Sequence, residues 1–225
     1  MPTRFCLEIS GEFACFTRPE MKVERVSYDI ITPSAVRAVF ESILWKPAIH
    51  WQPEKIEVLA PIRWTTIRRN EVGSKLSAAN VKSAMQRGSG AIALYVEEER
   101  QQRASLLLRD VRYRITASFS MTSRAGAEEN TQKFAEMFAR RAEKGQCINQ
   151  PYLGCCEFAC DFRFVEASEE AATIPEELRV ERDLGWMLYD LDFHDATSPQ
   201  PRFFQARMKD GVVKIPSWDS AEVRG

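Results

Sequence analysis

The sequence predicts an α+β fold: a β-α-β-β-α-β core followed by a small antiparallel β extension. Three observations predict it. Two helical segments with apolar residues on one face, 33–45 and 130–144, are each flanked by segments of apolar–polar alternation. Between them lies the clearest strand, where Val111, Tyr113, Ile115, Ala117, Phe119 and Met121 alternate with polar neighbours. Past residue 184, alternating runs are joined by Asp210-Gly211, a pair suited to a hairpin turn.

In chain order, Phe5, Leu7 and Ile9 alternate within FCLEISGEFACF, a half-buried strand expected to bend at Gly11. A loop dense in charge follows, with Arg18, Lys22 and Arg25 among Glu20, Glu24 and Asp29. Thr32 and Pro33 have the types of an N-cap and first helical position, and Val36, Val39, Phe40, Ile43 and Leu44 recur at helical spacing until Pro47 stops the helix. Ile56, Val58, Ile62 and Trp64 mark a second strand or kinked strand pair around Pro61. Residues 70–103, with Gly73, Gly88, Gly90 and the acidic run Glu97 to Glu99, read as a partly mobile insertion. After the strand 111–121, the helix 130–144 carries Phe134, Met137, Phe138 and Ala142 on one face and Gly145 as its C-terminal cap. Phe158, Cys160, Phe162 and Phe164 alternate in a further strand.

Residues 5–165 thus give β-α-β-(insertion)-β-α-β, the order of the ferredoxin-like, or RRM-like, split β-α-β fold. The expected division is a domain at 1–165, an acidic linker at 166–183 and an antiparallel β lobe at 184–225.

At 225 residues with 44% hydrophobic content, the chain can bury a sizeable core. It has no run of apolar residues long enough to span a bilayer, and MPTRFCLEIS lacks a signal-peptide core, so a cytoplasmic protein with no membrane partner is expected. The net charge of −1 conceals an asymmetry: residues 1–160 sum to +5 and residues 161–225 to −6. A basic excess suits an anionic partner, though a solvated surface has the same signature. Cys6, Cys15, Cys147, Cys155, Cys156 and Cys160 lack zinc-like pairing, and His50 and His194 are the only histidines, so buried thiols are expected in preference to a metal site. No metal or cofactor is expected.

Three constellations could carry chemistry. The first is basic: Arg18, Lys22, Arg25, Lys46, Arg63, Arg68, Arg69 and Lys75, with Trp64 interleaved. Guanidinium forks match phosphate oxygens and an aromatic ring offers a stacking surface for an unpaired base; a solvated face with a core Trp is the plainer alternative. The second is Lys133, a cation in the first turn of a helix, where it opposes the helix dipole unless Glu128 and Glu129 compensate it or an anion binds there. The third is the pair of titratable groups His50 and Tyr28, candidates for proton transfer. Walker A, GxGxxG, HExxH and GxSxG motifs are absent, as is the RNP1 pattern of an RRM.

The segments FTRPEMKVERVSYDIITPSAVRAVFESILWKPAIHW, IRRNEVGSK, RQQRASLLLRDVRYRI, KGQC...PYLGCCEFA and DLGWMLYDLDF together resemble one family, with order and spacing preserved along nearly all of the chain. It is the type I-C (Dvulg-subtype) CRISPR-associated fifth-family protein, a crRNA-processing endoribonuclease of the RAMP superfamily. The resemblance implies metal-independent cleavage at the base of the precursor CRISPR RNA repeat hairpin by attack of a ribose 2′-OH. It further implies retention on the 5′ handle beside the backbone and large subunits of the type I-C surveillance complex, with double-stranded DNA a further candidate partner. The family pattern places Tyr or His before Trp-Lys-Pro and a Lys-His pair at the start of the second helix. Here these positions read Leu44 and Lys133-Phe134. Lys133 carries over as stabiliser of the developing charge, and proton transfer falls to His50 or Tyr28. The alternative is a non-catalytic subunit that binds the 5′ handle and supports assembly.

Overall fold

The computed structural model describes residues 3–90, 92–166, 169, 171–195 and 197–225. One residue of the expected insertion, at 91, and three of the expected linker, at 167, 168 and 170, lie outside the described residues. The elements are β1 (Arg4–Ala14), α1 (Pro33–Ile43), β2 (Ile49–Val58), β3 (Arg63–Val72), α2 (Ala78–Arg87), β4 (Arg100–Met121), α3 (Thr131–Glu143), β5 (Asp161–Val165), a 3-10 turn at Glu176–Leu178, β6 (Glu181–Asp192), β7 (Gln200–Lys209), β8 (Val212–Lys214) and β9 (Val223–Arg224).

One sheet runs in the order β5-β1-β4-β2-β8-β7-β6, and its paired neighbours β5–β1, β1–β4, β4–β2 and β2–β8 are antiparallel. The result is an α+β fold with a mostly antiparallel sheet. Both long helices end where their caps dictate. The Thr32 hydroxyl accepts from the Ala35 amide, and Asn130 Oδ1 accepts from the Lys133 amide at 2.9 Å, satisfying donors that the first helical turn leaves open. Helix α1 stops two residues before the expected end because Leu44 turns extended, and its carbonyl takes the indole N–H of Trp51 at 2.9 Å.

The apolar faces of α1 and α3 meet the sheet in an aromatic cluster. Trp51 on β2 has ring centroids 4.7 Å from Phe138, 5.0 Å from Phe40 and 5.2 Å from Phe119. Phe5 on β1 adds an edge contact to Phe138 at 4.8 Å. Burying several rings in one place supplies a large share of the apolar stabilisation, and truncating such a ring typically costs ~3–5 kcal/mol.

The opposite face of the sheet is polar. There Glu8 on β1 receives Arg114 at 2.7 Å, Arg112 at 3.0 Å and Arg163 at 3.1 Å. Burial opposes the charge on Glu8, but the hydrogen bonds from Arg114, Arg112 and Arg163 prevail and hold its carboxyl at about 2. On this face Glu169 is bound to Arg163, and Ala171, Ala172 and Thr173 line a cleft beside Glu8.

Several expectations are revised. Strand β1 continues past Gly11, whose missing Cβ admits the 151–160 loop: a Cβ there would lie 2.5 Å from a Leu153 methyl carbon and 2.9 Å from the Ala159 carbonyl oxygen. The strand expected from 158 begins at Asp161. Most of the described residues of 70–103 belong to β3, α2 and the start of β4. Strand β3 pairs with Arg100–Arg109 as a long hairpin whose tip carries α2, a helix with no buried residue. The sequence hides the strand because the half-buried face of β3, Thr65, Ile67, Arg69 and Glu71, is largely polar. In the C-terminal part, Asp210 (φ 52) and Gly211 (φ 74) form the expected turn. Strand β8 then pairs with β2, so β6 to β9 continue the same sheet.

Candidate nucleic-acid interface

The residues preceding Trp-Lys-Pro and opening α3 were the two family positions with altered chemistry, and the structure turns both inward. Leu44 is 0% and Phe134 1% exposed, each part of the core. Between them the surface belongs to other groups. Trp45 is 56% exposed and Lys46 is half-buried in the turn joining α1 to β2. The loop leading to α3 is pinned to that turn: the Thr122 hydroxyl donates to the Pro47 carbonyl at 2.6 Å, and its amide donates to the Ala48 carbonyl at 2.9 Å. Asn130 then sets the start of α3, leaving the Lys133 side chain exposed with no ion-pair partner among the described residues. The Glu129 carboxylate is occupied by the Gly126 amide at 2.9 Å.

His50 is the second residue of β2 and pairs in register with Ser120 of β4, one residue before the strand end that leads into Thr122. It is exposed and lines a cavity of about 560 Å³ together with Gln52, Ser120, Asp190, Trp218 and Asp219. Asp190 is held there by Arg37 of α1 in a bidentate pair at 2.6 and 3.1 Å. Tyr28 has a different environment. It is 1% exposed with Arg18 stacked on its ring at 4.5 Å, and burial, opposed by a backbone hydrogen bond at Leu188, pushes its phenol upward. Of the two proton-transfer candidates, His50 is therefore the one at the surface.

The basic set divides into committed and open cations. Arg18 is bound to Asp29 at 3.3 Å and to the Ser27 carbonyl. Arg25 and Arg69 belong to a network with Arg103, Glu71 and Glu157, in which Arg69 pairs with Glu157 and Arg25 also approaches Cys155 Sγ at 3.4 Å. Arg63 faces Asp110 at 3.7 Å. Lys22, Arg68 and Lys75 are exposed without such partners among the described residues. Alternation along β3 places Trp64, 37% exposed, on the same strand face as Arg68, while Arg63 and Arg69 point the other way. An exposed ring beside an exposed guanidinium can stack a base and hold its phosphate.

Sequence reading missed two features here. Trp45 carried a signal, an aromatic in a Lys-Pro turn, but was taken as part of the helix. The cavity beside His50 had none, because half of its wall comes from β6 and the 217–219 turn, brought over β2 by the β8 pairing. Among the described residues no three His, Cys, Asp or Glu side chains gather as a metal site.

Comparison with known proteins places the chain in a family. The family profile described as CRISPR-associated protein (Cas_Cas5), the Cas5d branch, matches residues 5–216. A protein of Mannheimia succiniciproducens named CRISPR pre-crRNA endoribonuclease Cas5d is 50% identical over 226 residues, covering 100% of both chains. One of the same name from Thermus thermophilus is 37% identical, over 95% of this chain and 92% of its own. Among solved structures, a CRISPR-associated protein superposes over 100% of this chain and 97% of its own with a TM-score of 0.71 at 20% identity. A chain of a CRISPR RNA-guided surveillance complex does so over 95% and 91%, with a TM-score of 0.52 at 13% identity. These two likenesses establish a shared fold, and the profile and the full-length relatives settle the family: the chain belongs to the Cas5d family of CRISPR-associated proteins.

Proposed function

We propose that this protein is a pre-crRNA endoribonuclease of a type I-C CRISPR system, built on a ferredoxin-like core and working in the cytoplasm. The observation that carries the reading is the 50% identity, over the whole of both chains, to a protein named for that activity. The strand order β5-β1-β4-β2, with α1 and α3 as crossovers, supports the ferredoxin-like core. In the proposed division of labour, residues 1–165 bind and cut the RNA, and the part beyond 184 completes the wall beside His50.

Cleavage requires a group that takes the 2′-OH proton and a cation for the charge that builds on the phosphate. Lys133 is the cation: exposed, unpaired among the described residues, and at a helix start whose amides favour an anion. His50 takes the proton. Tyr28, enclosed in the core, supports the Arg18 loop. Lys22, Lys46, Trp64, Arg68 and Lys75 hold the RNA, and the committed arginines Arg18, Arg25, Arg63 and Arg69 shape the surface that presents them. No divalent metal takes part. After cutting, the protein stays on the 5′ handle as a subunit of a surveillance complex, next to its backbone and large subunits and close to double-stranded DNA.

The test is incubation with the cognate repeat RNA in EDTA. Discrete cleavage that a 2′-deoxy group at the scissile nucleotide abolishes is expected, whereas no product at high protein concentration overturns the enzymatic reading. The burial of Leu44 and Phe134 at the positions of the expected proton-transfer groups favours a second reading, a handle-binding and assembly subunit without chemistry. Tight, salt-sensitive repeat binding without cleavage distinguishes it.

A further inference from the structure

Away from the proposed cleavage groups, two of the six free cysteines are brought together from opposite parts of the chain. Cys15, fully buried just beyond the end of β1, meets Cys155, partly exposed in the 151–160 loop. The backbone holds them in place. The Cys15 amide donates to the Leu153 carbonyl at 3.0 Å, and Gly154 (φ 85) lies flat on the Cys15 carbonyl, where an added Cβ would be 2.1 Å from the oxygen. Cys155 Sγ is 3.7 Å from that same oxygen.

The surroundings favour a thiolate at Cys155. Hydrogen bonding from Cys15 lowers its thiol, against burial and the nearby Glu157 carboxylate, with Arg25 assisting. The guanidinium of Arg25 lies 3.4 Å from the sulfur. The charged groups facing the sulfur are therefore Arg25 from the 17–27 loop and Glu157 from its own loop, with Arg69 and Glu71 of β3 behind them. Cys156 is more exposed and its thiol donates to the Glu157 carboxylate at 3.6 Å.

We propose that Cys155 is a peroxide-reactive modification site and that Cys15 resolves the oxidised product as a reversible Cys15–Cys155 disulfide. The Cys155 thiolate attacks one peroxide oxygen; the O–O bond breaks, the departing hydroxide takes a proton to become water, and Cys155 is left as a sulfenic acid. The Cys15 sulfur then attacks the Cys155 sulfur, the S–O bond breaks, and the hydroxyl leaves as water with the Cys15 proton. Two thiols and one hydrogen peroxide thus give one disulfide and two waters, and a dithiol reductant reverses the change. The reaction removes the thiolate facing Arg25, so it alters the charge beside the loop that also carries Lys22.

The test uses the full-length protein, pulsed with hydrogen peroxide at pH 7, quenched with N-ethylmaleimide and mapped by peptide mass spectrometry. A linked Cys15–Cys155 peptide is expected, lighter by two hydrogens and lost on adding dithiothreitol. Cys155→Ser removes it, and Cys15→Ser leaves a Cys155 sulfenic acid that dimedone traps. Should Cys15→Ser fail to fold, the wild-type protein still decides: iodoacetamide at neutral pH labels Cys155 about tenfold faster than the more exposed Cys156. A disulfide to any other cysteine, no disulfide at all, or labelling of Cys156 ahead of Cys155 overturns the proposal.

Discussion

Glu8→Gln tests whether the polar face of the sheet is held by one carboxylate. Glu8 sits on a central strand, and its oxygens receive Arg112, Arg114 and Arg163 within 2.7–3.1 Å. Its carboxyl is lowered from 4.5 to about 2, and at 1.36 kcal/mol per unit the difference caps its contribution at ~3 kcal/mol. Arg112 and Arg163 are more than half exposed, so their share is screened and ~2 kcal/mol is the better expectation. The sign follows from the lowered carboxyl. The stabilisation is complete above about pH 4.5 and is lost as the pH falls towards 2. Gln preserves the shape, so the variant should unfold in urea ~2 kcal/mol earlier at pH 7 with an unchanged m-value, and the gap to wild type should close as the pH drops through that window. A loss under ~0.5 kcal/mol, or a gap independent of pH, would refute the reasoning.

Lys133→Ala should slow single-turnover repeat cleavage ~10²- to 10³-fold while leaving repeat affinity nearly unchanged, as measured by filter binding alongside the cleavage assay. His50→Ala should cost ~10²- to 10⁴-fold and remove a limb of the pH–rate profile. Trp64→Ala should weaken repeat binding by ~1–3 kcal/mol without moving the melting temperature, and Arg69→Ala should do the reverse, because Arg69 is occupied by Glu157 and Glu71. Gly154→Ala should destabilise the fold by more than ~1 kcal/mol in thermal melts, since its φ of +85 and its contact with the Cys15 carbonyl both reject a Cβ.

Helices α1 and α3 were legible in the sequence because their signals are local: Thr32-Pro33 and Asn130 act on amides within one turn, and Val36, Phe40, Phe134 and Phe138 repeat at helical spacing. Residues 111–121 were legible for a related reason, as one face of the strand is buried and the alternation records it. The β3–β4 arm was not, because the half-buried face of β3, Thr65, Ile67, Arg69 and Glu71, is largely polar and leaves little apolar alternation to read. Side-chain commitments were equally hidden. Nothing in the spacing of Arg25 and Arg69 says that Glu157, far along the chain, will hold both, nor that Tyr28 will lie under Arg18 in the core.

The sequence by itself determined the two long helices with their N-caps, the strand at 111–121, the basic excess and the resemblance to a family, since all of these depend on residue types and short-range spacing. Tertiary structure alone decided which cations stay open, that His50 and not Tyr28 reaches the surface, that β8 on β2 builds a cavity wall, and that Cys15 meets Cys155. Each of these depends on long-range backbone pairing, which brings together side chains that local physics leaves independent.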